Sequence, residues 1–343
     1  MLVQTSGRVV KITAWDDAVQ EVRVSIDGEL EATIPALNYP ALTGCAEVDD
    51  TVFINSTAII LHLGTGGYGF VIANLTQATN GQKTHSQGPG HIIKGRYLPC
   101  QQAVLTLEEQ PQYAAIWDKR LDGFPVLVGQ LHSQIAPAAA ALFLTGRQKI
   151  AYIMTDQGAL PLAFSRLVRD LKAAGLIQTT LTCGQAFGGD YETVTLHSAL
   201  IAAKHILHCD AAIVCQGPGN AGTGTKYGFS GIEQAQNLDS ITALGGTPIA
   251  IARMSSADKR DRHQGLSHHT RTTLELVRSR CIVPLPAEAE LLSLPEHHAI
   301  RVIEGAHAAI DLLAEKQITV TTMGRSPAED PLFFLAAAAA GMV

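Results

Sequence analysis

The sequence predicts an α/β protein with two parts: a small β-barrel at the amino end, followed by a doubly wound, mostly parallel α/β domain. Three observations support this prediction. The chain has 343 residues, which is more than one hydrophobic core usually serves. Its first part alternates apolar and polar residues, as half-buried strands do. Its second part alternates continuous apolar runs with helical patterns, which a parallel sheet covered on both faces requires.

Residues 1–80 form the predicted barrel domain. Their short alternating runs are separated by glycine-containing turns such as Asp27-Gly28, and no helical stretch interrupts them, a pattern typical of a small barrel or sandwich. Residues 76–90, rich in Thr, Gln, Asn, Gly, Ser and Pro, are predicted to be a linker. The predicted strands include Arg8–Ile12, Val19–Ile26, Leu30–Ile34, Thr51–Asn55 and Gly69–Ala73.

Residues 91–343 form the predicted α/β domain, in which each apolar run is followed by a glycine-containing turn and then by an amphipathic stretch. The apolar segment Pro331–Val343 is far shorter than the roughly 20 residues that span a bilayer, so it predicts a docked helix. The predicted strands are Pro125–Val128, Ile150–Met154, Thr179–Cys183, Ala211–Cys215, Pro248–Ala252, Cys281–Leu285 and Ile318–Thr322, and the predicted helices include Leu160–Ala174, Tyr191–Leu207 and His298–Lys316.

Composition excludes several classes of protein. With 31 acidic and 25 basic residues the net charge is −6, so bulk binding of nucleic acid is not expected. A hydrophobic content of 46% argues against disorder. The opening residues lack the features of a signal peptide, and the six cysteines form no CxxC pair. We therefore expect a cytoplasmic protein with buried, reduced thiols and no membrane partner, a thiolate zinc site being the alternative.

The first candidate loop follows the predicted strand Ala211–Cys215, at the sheet edge where open α/β sheets bind ligands. Its glycines let backbone N–H groups approach an anion, and its threonines and lysine add donors. The loop does not match the phosphate-loop pattern GxxxxGK[ST]. It predicts contact with a phosphate or nucleotide, tight packing of the glycines being the alternative. The candidate binding residues are Gly217, Gly219, Gly222, Thr223, Gly224, Thr225 and Lys226.

The second candidate loop, Arg253–Arg271, follows the next predicted strand. It holds five basic and two acidic residues, a net charge of +3 on a chain of net −6. A positive island of this size suits a small anion better than a polyanion. Ser267 is predicted to cap the helix that follows, which aims free N–H groups at the same region. Mutual pairing of the charges at the surface is the alternative. The candidate anion ligands are Arg253, Lys259, Arg260 and Arg262.

Histidines and aspartates near the predicted strand ends are candidates for proton transfer, because an imidazole pKa near 6.5 suits this role at neutral pH. The catalytic candidates are His132, His263, His268, Asp190 and Asp258. A bound zinc, manganese or iron ion is the alternative use of this region, with His197, His269, Asp156 and Asp261 as additional ligands. No HExxH or HxH spacing is present, and adjacent histidines at a helix start are expected to point apart, so no metal site is predicted.

Six stretches, which extend over essentially the whole chain, are informative in combination: Leu63–Tyr68, Gly90–Tyr97, Met154–Pro161, Gly222–Gly231, Gly265–Thr270 and Thr322–Ser326. Together they resemble the bacterial domain-of-unknown-function 3866 family. The resemblance implies a bacterial protein that is one unit of two domains. It implies no catalytic residue, because the family carries no assigned activity.

The leading hypothesis for function is an enzyme that acts on a small phosphorylated or nucleotide-like anion, held at the strand ends by the two loops. His132, His263 or His268 would serve as general acid or base, and Tyr97, Arg96 and Arg325 are further candidates. The alternative is a non-catalytic metabolite sensor or assembly protein that uses the same loops. Self-association as a homodimer is predicted from the apolar character of the α/β domain.

Overall fold

The computed structural model describes residues 2–26, 33–63, 67–79, 90–290 and 294–343. Contacts within the chain divide it into two units, Met1–Val104 and Leu105–Val343. The predicted turn at Asp27-Gly28, the beginning of the predicted strand 30–34 and most of the predicted linker 76–90 lie outside the described residues.

The amino-terminal unit contains a closed barrel with strand order β1-β2-β3-β5-β4, which confirms the predicted barrel. Its strands pair antiparallel except β3 and β5, which run parallel. Alternate residues point inward and form an apolar core that includes Val9, Val24 and Ile54. The strands are β1 Gln4–Trp15, β2 Gln20–Ser25, β3 Thr33–Asn38, β4 Thr51–Asn55 and β5 Gly69–Asn74, and a two-stranded ribbon follows, β6 Ile92–Lys94 with β7 Gln102–Val104.

The prediction that no helix interrupts the barrel domain is wrong. Among the described residues, the short helices α1 Pro40–Thr43 and α2 Thr57–Ile60 lie between barrel strands, and α3 Leu75–Thr79 follows β5. Each has only four or five residues, too few to show the 3.6-residue periodicity by which a helix is recognised in a sequence.

The second unit is built on an eight-stranded sheet of order β11-β10-β9-β12-β8-β13-β16-β17, in which all pairs are parallel. This confirms the predicted parallel α/β architecture. The strands are β8 Pro125–Val128, β9 Ile150–Thr155, β10 Thr179–Thr182, β11 Tyr191–Glu192, β12 Ala211–Gln216, β13 Thr247–Ala250, β16 Ile282–Pro286 and β17 Ala299–Ile303. A small antiparallel ribbon, β14 Met254–Ser255 with β15 Gly265–Leu266, follows β13.

Helices cover both faces of this sheet, and successive strand residues contribute to opposite faces: Leu127 packs in one core, whereas Val126 and Val128 pack in the other. One face is covered by α4 Ile135–Leu144, α5 Arg166–Ala173, α9 His307–Glu315 and α10 Pro331–Gly341, and the other by α6 Leu196–His205, α7 Glu233–Ala243 and α8 His268–Leu276. Burial on both faces explains why the central strands are continuously apolar.

Several predicted elements differ from the structure. Residues 318–322 form no strand; Thr322 only bridges Arg325. Residues 191–192 of the predicted helix 191–207 and residues 299–303 of the predicted helix 298–316 belong to edge strands, β11 and β17. An edge strand is covered less completely than a central one, so it lacks the apolar run that marks a buried strand. Four of the six cysteines are buried as predicted, whereas Cys45 and Cys100 are exposed.

Helix α10 is docked as predicted, with almost all of its side chains buried against the sheet. Alanines and a glycine permit a close approach to α4: a Cβ on Gly341 would lie 2.5 Å from the carbonyl oxygen of Ala138. Within the described ranges, no helix combines the length and apolar character that crossing a membrane requires.

The topology also fixes where a ligand site can lie. Strands β8 and β13 are neighbours in the sheet, but the chain leaves them in opposite directions. From β8 it continues to β9, toward the β11 edge, and from β13 it continues to β16, toward the β17 edge. Loops that diverge from neighbouring strands leave a crevice at the carboxyl ends, which is where open α/β sheets bind ligands. The loops at this crevice begin at Gly129 and Ile251.

Candidate functional site

The second candidate loop is folded back on itself by the β14–β15 ribbon. The N–H of Ser267 donates to the carbonyl oxygen of Arg253 at 3.0 Å, so the start of the loop and the start of α8 lie side by side. Ser267 caps α8 as predicted, its Oγ accepting from the N–H of His269 at 3.2 Å. The ribbon therefore brings the turn at Asp261–His263 over the first turn of α8.

Three histidines meet at this point: His263, His268 and His269, called here the histidine cluster. Each offers a ring nitrogen within 4.8 Å of the others. The ring centroids of His268 and His269 are 4.3 Å apart, and His263 lies 4.9 and 5.0 Å from them. The expectation that the two adjacent histidines point apart is wrong, because both are in the first helical turn and both rings turn toward His263.

Two histidines of the cluster have hydrogen-bond partners, and the third has a nitrogen without one. Nδ1 of His263 lies 2.7 Å from Oγ of Ser267, and Nδ1 of His269 accepts from Nη1 of Arg253 at 3.1 Å. Nε2 of His268 is shielded from solvent and has no partner among the described residues. A buried polar atom of this kind indicates a place for a ligand or an ordered water.

Guanidinium groups surround the cluster. Arg253, which follows β13, is only 6% exposed. The buried carboxylate of Asp258 accepts two hydrogen bonds from Arg260, at 2.9 and 2.8 Å. The same carboxylate lies 3.9 Å from Arg253 and 3.6 Å from Arg325, which also binds Asp330 at 3.0 Å. The Asp258 carboxylate is thus shared by three arginines. Even with Asp330, the carboxylates here are fewer than the arginines, so positive charge is in excess.

This excess charge acts on the titratable groups. Burial, with Arg253 and Arg260 nearby, lowers the pKa of His263 to about 3. Burial and Arg253 lower the pKa of His269 to about 3, and burial and Arg262 lower the pKa of His268. The hydrogen bonds from Arg260 hold the pKa of Asp258 well below its usual range, so this carboxylate is a partner of arginines and a poor base.

The first candidate loop, which follows β12 and is called here the glycine-rich loop, lies against the same cluster. The ring of Phe229, at the end of this loop, stacks on His269 with centroids 3.8 Å apart and an angle of 4° between the planes. Lys226 pairs with Glu275 of α8 at 2.8 Å. A Cβ on Gly224 would lie 3.8 Å from the guanidinium of Arg262. The two loops predicted to bind one anion are therefore in contact.

Within the glycine-rich loop, the polar groups partly satisfy one another. The hydroxyls of Thr223 and Thr225 are 2.9 Å apart, and the Thr223 hydroxyl also donates to the carbonyl oxygen of Gly228 at 3.0 Å. Gly217 serves packing, since a Cβ there would lie 2.4 Å from the carbonyl oxygen of Ala159. Gly219 and Gly224 have positive φ angles of 96° and 80°, which glycine adopts without strain. Gly222 lies in an exposed part of the loop.

His132 contacts a different set of residues. Its Nε2 lies 2.6 Å from Oγ of Ser165, and its Nδ1 lies 3.3 Å from the Tyr152 hydroxyl and from the carbonyl oxygen of Gln216. Burial lowers the pKa of His132 to about 4. These contacts occupy both ring nitrogens, which is the arrangement of a structural histidine.

The remaining candidates are distributed over the molecule. Asp190 pairs with Lys172 at 2.6 Å and accepts from Thr180 at the beginning of β10, so its contacts are structural. His197, Lys259 and Asp261 are exposed, and Asp156 accepts from the N–H of Gln185 at 2.8 Å. Arg96 and Tyr97 belong to the amino-terminal unit, where Tyr97 is exposed.

Sequence reasoning missed a layer of buried glutamines beneath the site. Nε2 of Gln216 donates to the carbonyl oxygen of Gln130 at 3.0 Å, and Nε2 of Gln134 donates to that of Ala252 at 3.1 Å. Gln130 in turn donates to Gln234 at 2.9 Å. These amides tie the ends of β8, β12 and β13 together. For Gln130 and Gln216 the signal in the sequence is a glutamine at the end of an apolar strand or just after it, whereas Gln234 lies in α7 and has no such signal.

Glu233, the first residue of α7, was also missed. Its Oε1 accepts from the Thr155 hydroxyl at 2.5 Å, and burial raises its pKa to about 7. Phe229 was missed as well. An apolar ring after a run of glycines resembles ordinary core, and only the fold shows that it stacks on a histidine.

Comparison with protein families gives one match. A family model described as "Protein of unknown function (DUF3866)" matches residues 35–341, nearly the whole chain. No curated protein matches the sequence. The match confirms the resemblance found in the sequence.

Proposed function

This chain belongs to the DUF3866 family of proteins of unknown function, and we propose from the geometry of its site that it is an enzyme acting on a small phosphorylated or nucleotide-like anion. The anion binds at the carboxyl ends of β8, β12 and β13. The observation that carries this proposal is the excess of arginine over carboxylate around a cluster of imidazoles at the crevice between diverging loops.

The binding end of the site consists of arginines. Arg253 is buried, and its nearest carboxylate, on Asp258, is already held by two hydrogen bonds from Arg260. Arg262 is exposed and forms no ion pair with any residue that the structure describes. Buried or crowded positive charge is costly unless it meets an anion. The amino end of α8 adds partial positive charge, which favours an anion there.

The reacting end of the site is the histidine cluster. Its imidazoles are neutral at pH 7, because burial and the neighbouring arginines oppose a further positive charge. A neutral imidazole can coordinate an ion or form hydrogen bonds with a ligand, and Nε2 of His268 has no partner among the described residues that would occupy it. His263 and His268 are therefore the residues to which we assign the chemistry. His132 and Asp190, whose contacts are elsewhere, have no part in it.

The proposal is tested by ligand screening followed by kinetics. Thermal unfolding of the full chain is measured with inorganic phosphate, nucleotides and sugar phosphates. We expect at least one phosphorylated compound to raise the melting temperature. Arg262→Ala should weaken its binding at least tenfold, because a hydrogen bond to a charged group contributes about 1.5–3 kcal/mol. Arg301→Ala, an exposed arginine on β17, is the matched control and should bind as the wild type does.

Turnover then separates an enzyme from a sensor. His268→Gln should keep the affinity for the compound found in the screen, measured in the presence of a chelator, and should lose its conversion, measured without the chelator, which a merely structural role would not produce. If no phosphorylated compound shifts the melting temperature, or if Arg262→Ala binds as tightly as the wild type, the anion site is refuted. If the compound binds and the wild type never converts it, the protein is a sensor instead.

A further inference from the structure

We propose that the histidine cluster binds one divalent transition-metal ion of the zinc type, with His263, His268 and His269 as its protein ligands. This inference deepens the proposed function, and it rests on that function only in placing the ion beside the bound anion. The chemical class of the ion follows from the ligands: imidazole nitrogen suits zinc, cobalt, nickel, copper and iron, whereas magnesium and calcium prefer oxygen. The nearby carboxylate, Asp258, is held by Arg260.

The spacing of the nitrogens supports the proposal. All three lie within 4.8 Å of one another, although they come from two separate segments, the turn Asp261–His263 and the first turn of α8. A tetrahedral ion with Zn–N distances of about 2.0–2.1 Å holds its nitrogens about 3.4 Å apart. Small rotations of the side chains close that difference. Three histidines leave a fourth position open, which is typical of catalytic rather than structural zinc sites.

The unpartnered nitrogen of His268 is the second observation. Nε2 is shielded from solvent and accepts or donates no hydrogen bond among the described residues. Leaving such an atom unpaired costs about 1–3 kcal/mol, and folded proteins rarely do so. A ligand that occupies the space between the three rings removes this cost.

Contacts behind two of the rings fix their orientation. Oγ of Ser267, 2.7 Å from Nδ1 of His263, leaves Nε2 of that ring available to an ion. The face of His269 is held by the stacked ring of Phe229. Outer contacts of this kind orient metal ligands and are a regular part of metal sites.

The arginines around the cluster oppose binding of the ion unless an anion is also bound. Arg253 donates to Nδ1 of His269, so ligation by this ring releases or redirects that guanidinium. The surrounding positive charge also opposes a cation that meets three neutral ligands. Both effects are relieved when an anion binds next to the ion and takes the arginine's hydrogen bonds. We therefore expect the ion to bind more tightly in the presence of the phosphorylated ligand.

Metal binding is measured directly on the full chain. Protein stripped with a chelator is dialysed against Zn²⁺, and bound zinc is counted by mass spectrometry of the metal. Co²⁺ is then used as a probe, because a four-coordinate site gives visible absorption bands. We expect one ion per chain and loss of at least tenfold in affinity in His268→Gln. The matched control is His197→Gln, an exposed histidine in the first turn of α6.

His263 is buried and its variant can fail to fold, so the half-buried His268 and the cobalt spectrum of the wild type carry the test. The metal site is refuted if the wild type retains no zinc, if cobalt gives no four-coordinate spectrum, or if His268→Gln binds zinc as the wild type does. Failure of the proposed function looks different. If the proposed function is wrong, zinc binds and no phosphorylated compound does. If only the metal site is wrong, protein treated with a chelator still binds the compound and takes up no ion.

Discussion

The rings of Phe229 and His269 stack face to face, with centroids 3.8 Å apart and an interplanar angle of 4°. Phe229 belongs to the glycine-rich loop after β12, and His269 belongs to the first turn of α8. The pair therefore couples the glycine-rich loop to the segment that follows β13, although the two residues are 40 positions apart in the chain. Since Phe229 is 4% exposed, its ring is a structural support for the histidine and not a platform for a ligand.

Replacement of Phe229 by leucine should loosen the histidine cluster. The variant keeps an apolar side chain and removes the stacked ring, and aromatic pairs contribute about 0.5–1.5 kcal/mol beyond their burial. We expect the free energy of unfolding to fall by about 1 kcal/mol and metal or anion binding to weaken. Urea unfolding and ligand titration measure both. Tyr227→Leu, an exposed ring two residues earlier, is the control, and equal effects of the two changes would contradict the coupling.

Asp258 should matter more for stability than Arg260, although the two are hydrogen-bonded partners. Asp258→Asn removes the carboxylate that three arginines approach and leaves their charges facing one another. Arg260→Gln leaves Arg253 and Arg325 beside the carboxylate. Removing one member of a buried ion pair, as in Asp258→Asn, costs about 3–5 kcal/mol of folding stability. Removing a partly exposed partner, as in Arg260→Gln, costs about 1 kcal/mol. The free energy of unfolding of both variants is measured in urea. Equal decreases would show that Asp258 stabilises the fold only through its pair with Arg260.

Gly217→Ala should destabilise the protein through packing. A Cβ at this position would lie 2.4 Å from the carbonyl oxygen of Ala159, so the loop after β12 must move away from the loop after β9. Forcing atoms into a packed region costs about 1–3 kcal/mol. Gly222→Ala is the control, because a Cβ there meets only the Phe229 Cβ at an ordinary 3.8 Å. Thermal unfolding that shows no difference between the two variants would argue against the packing role of Gly217.

Glu233 should make stability depend on pH. Burial raises the pKa of this carboxyl to about 7 from a usual value of 4.5, so between these values the folded state holds a proton that the unfolded state has released. Stability from this group is therefore fully present below pH 4.5 and is lost as the pH rises through 7. Glu233→Gln keeps a neutral group of the same shape beside Thr155.

We expect Glu233→Gln to match the wild type near pH 4 and to be more stable at pH 8. The difference should be on the order of 2 kcal/mol, below the full value of a shift of this size because the side chain is partly exposed. Urea unfolding at a series of pH values gives the curve. A difference between the two proteins that does not change with pH would show that the Glu233 carboxyl titrates normally.

Local patterns in the sequence were sufficient for the central strands and for the capping of α8. The run Pro125–Val128 is apolar because both faces of β8 are covered, and Ser267 precedes its helix as a cap does. They were insufficient for β17, whose exposed edge has no apolar run. They were also insufficient for residues 318–322, where Ile318 and Val320 pack in the core on one face of the sheet without joining a strand.

The two loops of the site were predicted as neighbours because both follow strands of one parallel sheet, and their carboxyl ends share an edge. Which side chains meet there was not predictable. His132, Asp190 and the histidine cluster all follow or precede strand ends, yet only the cluster is joined to the arginines.

The sequence by itself determined the barrel, the parallel sheet and the positive loop, since periodicity, turn residues and charge are read from neighbours along the chain. The tertiary structure decided that His263 folds back onto His268 and His269, because this depends on the β14–β15 ribbon closing the loop. It also decided that Asp258 is shared by three arginines. These contacts join residues that are distant in the chain or differently oriented, and no local pattern encodes the direction of a side chain.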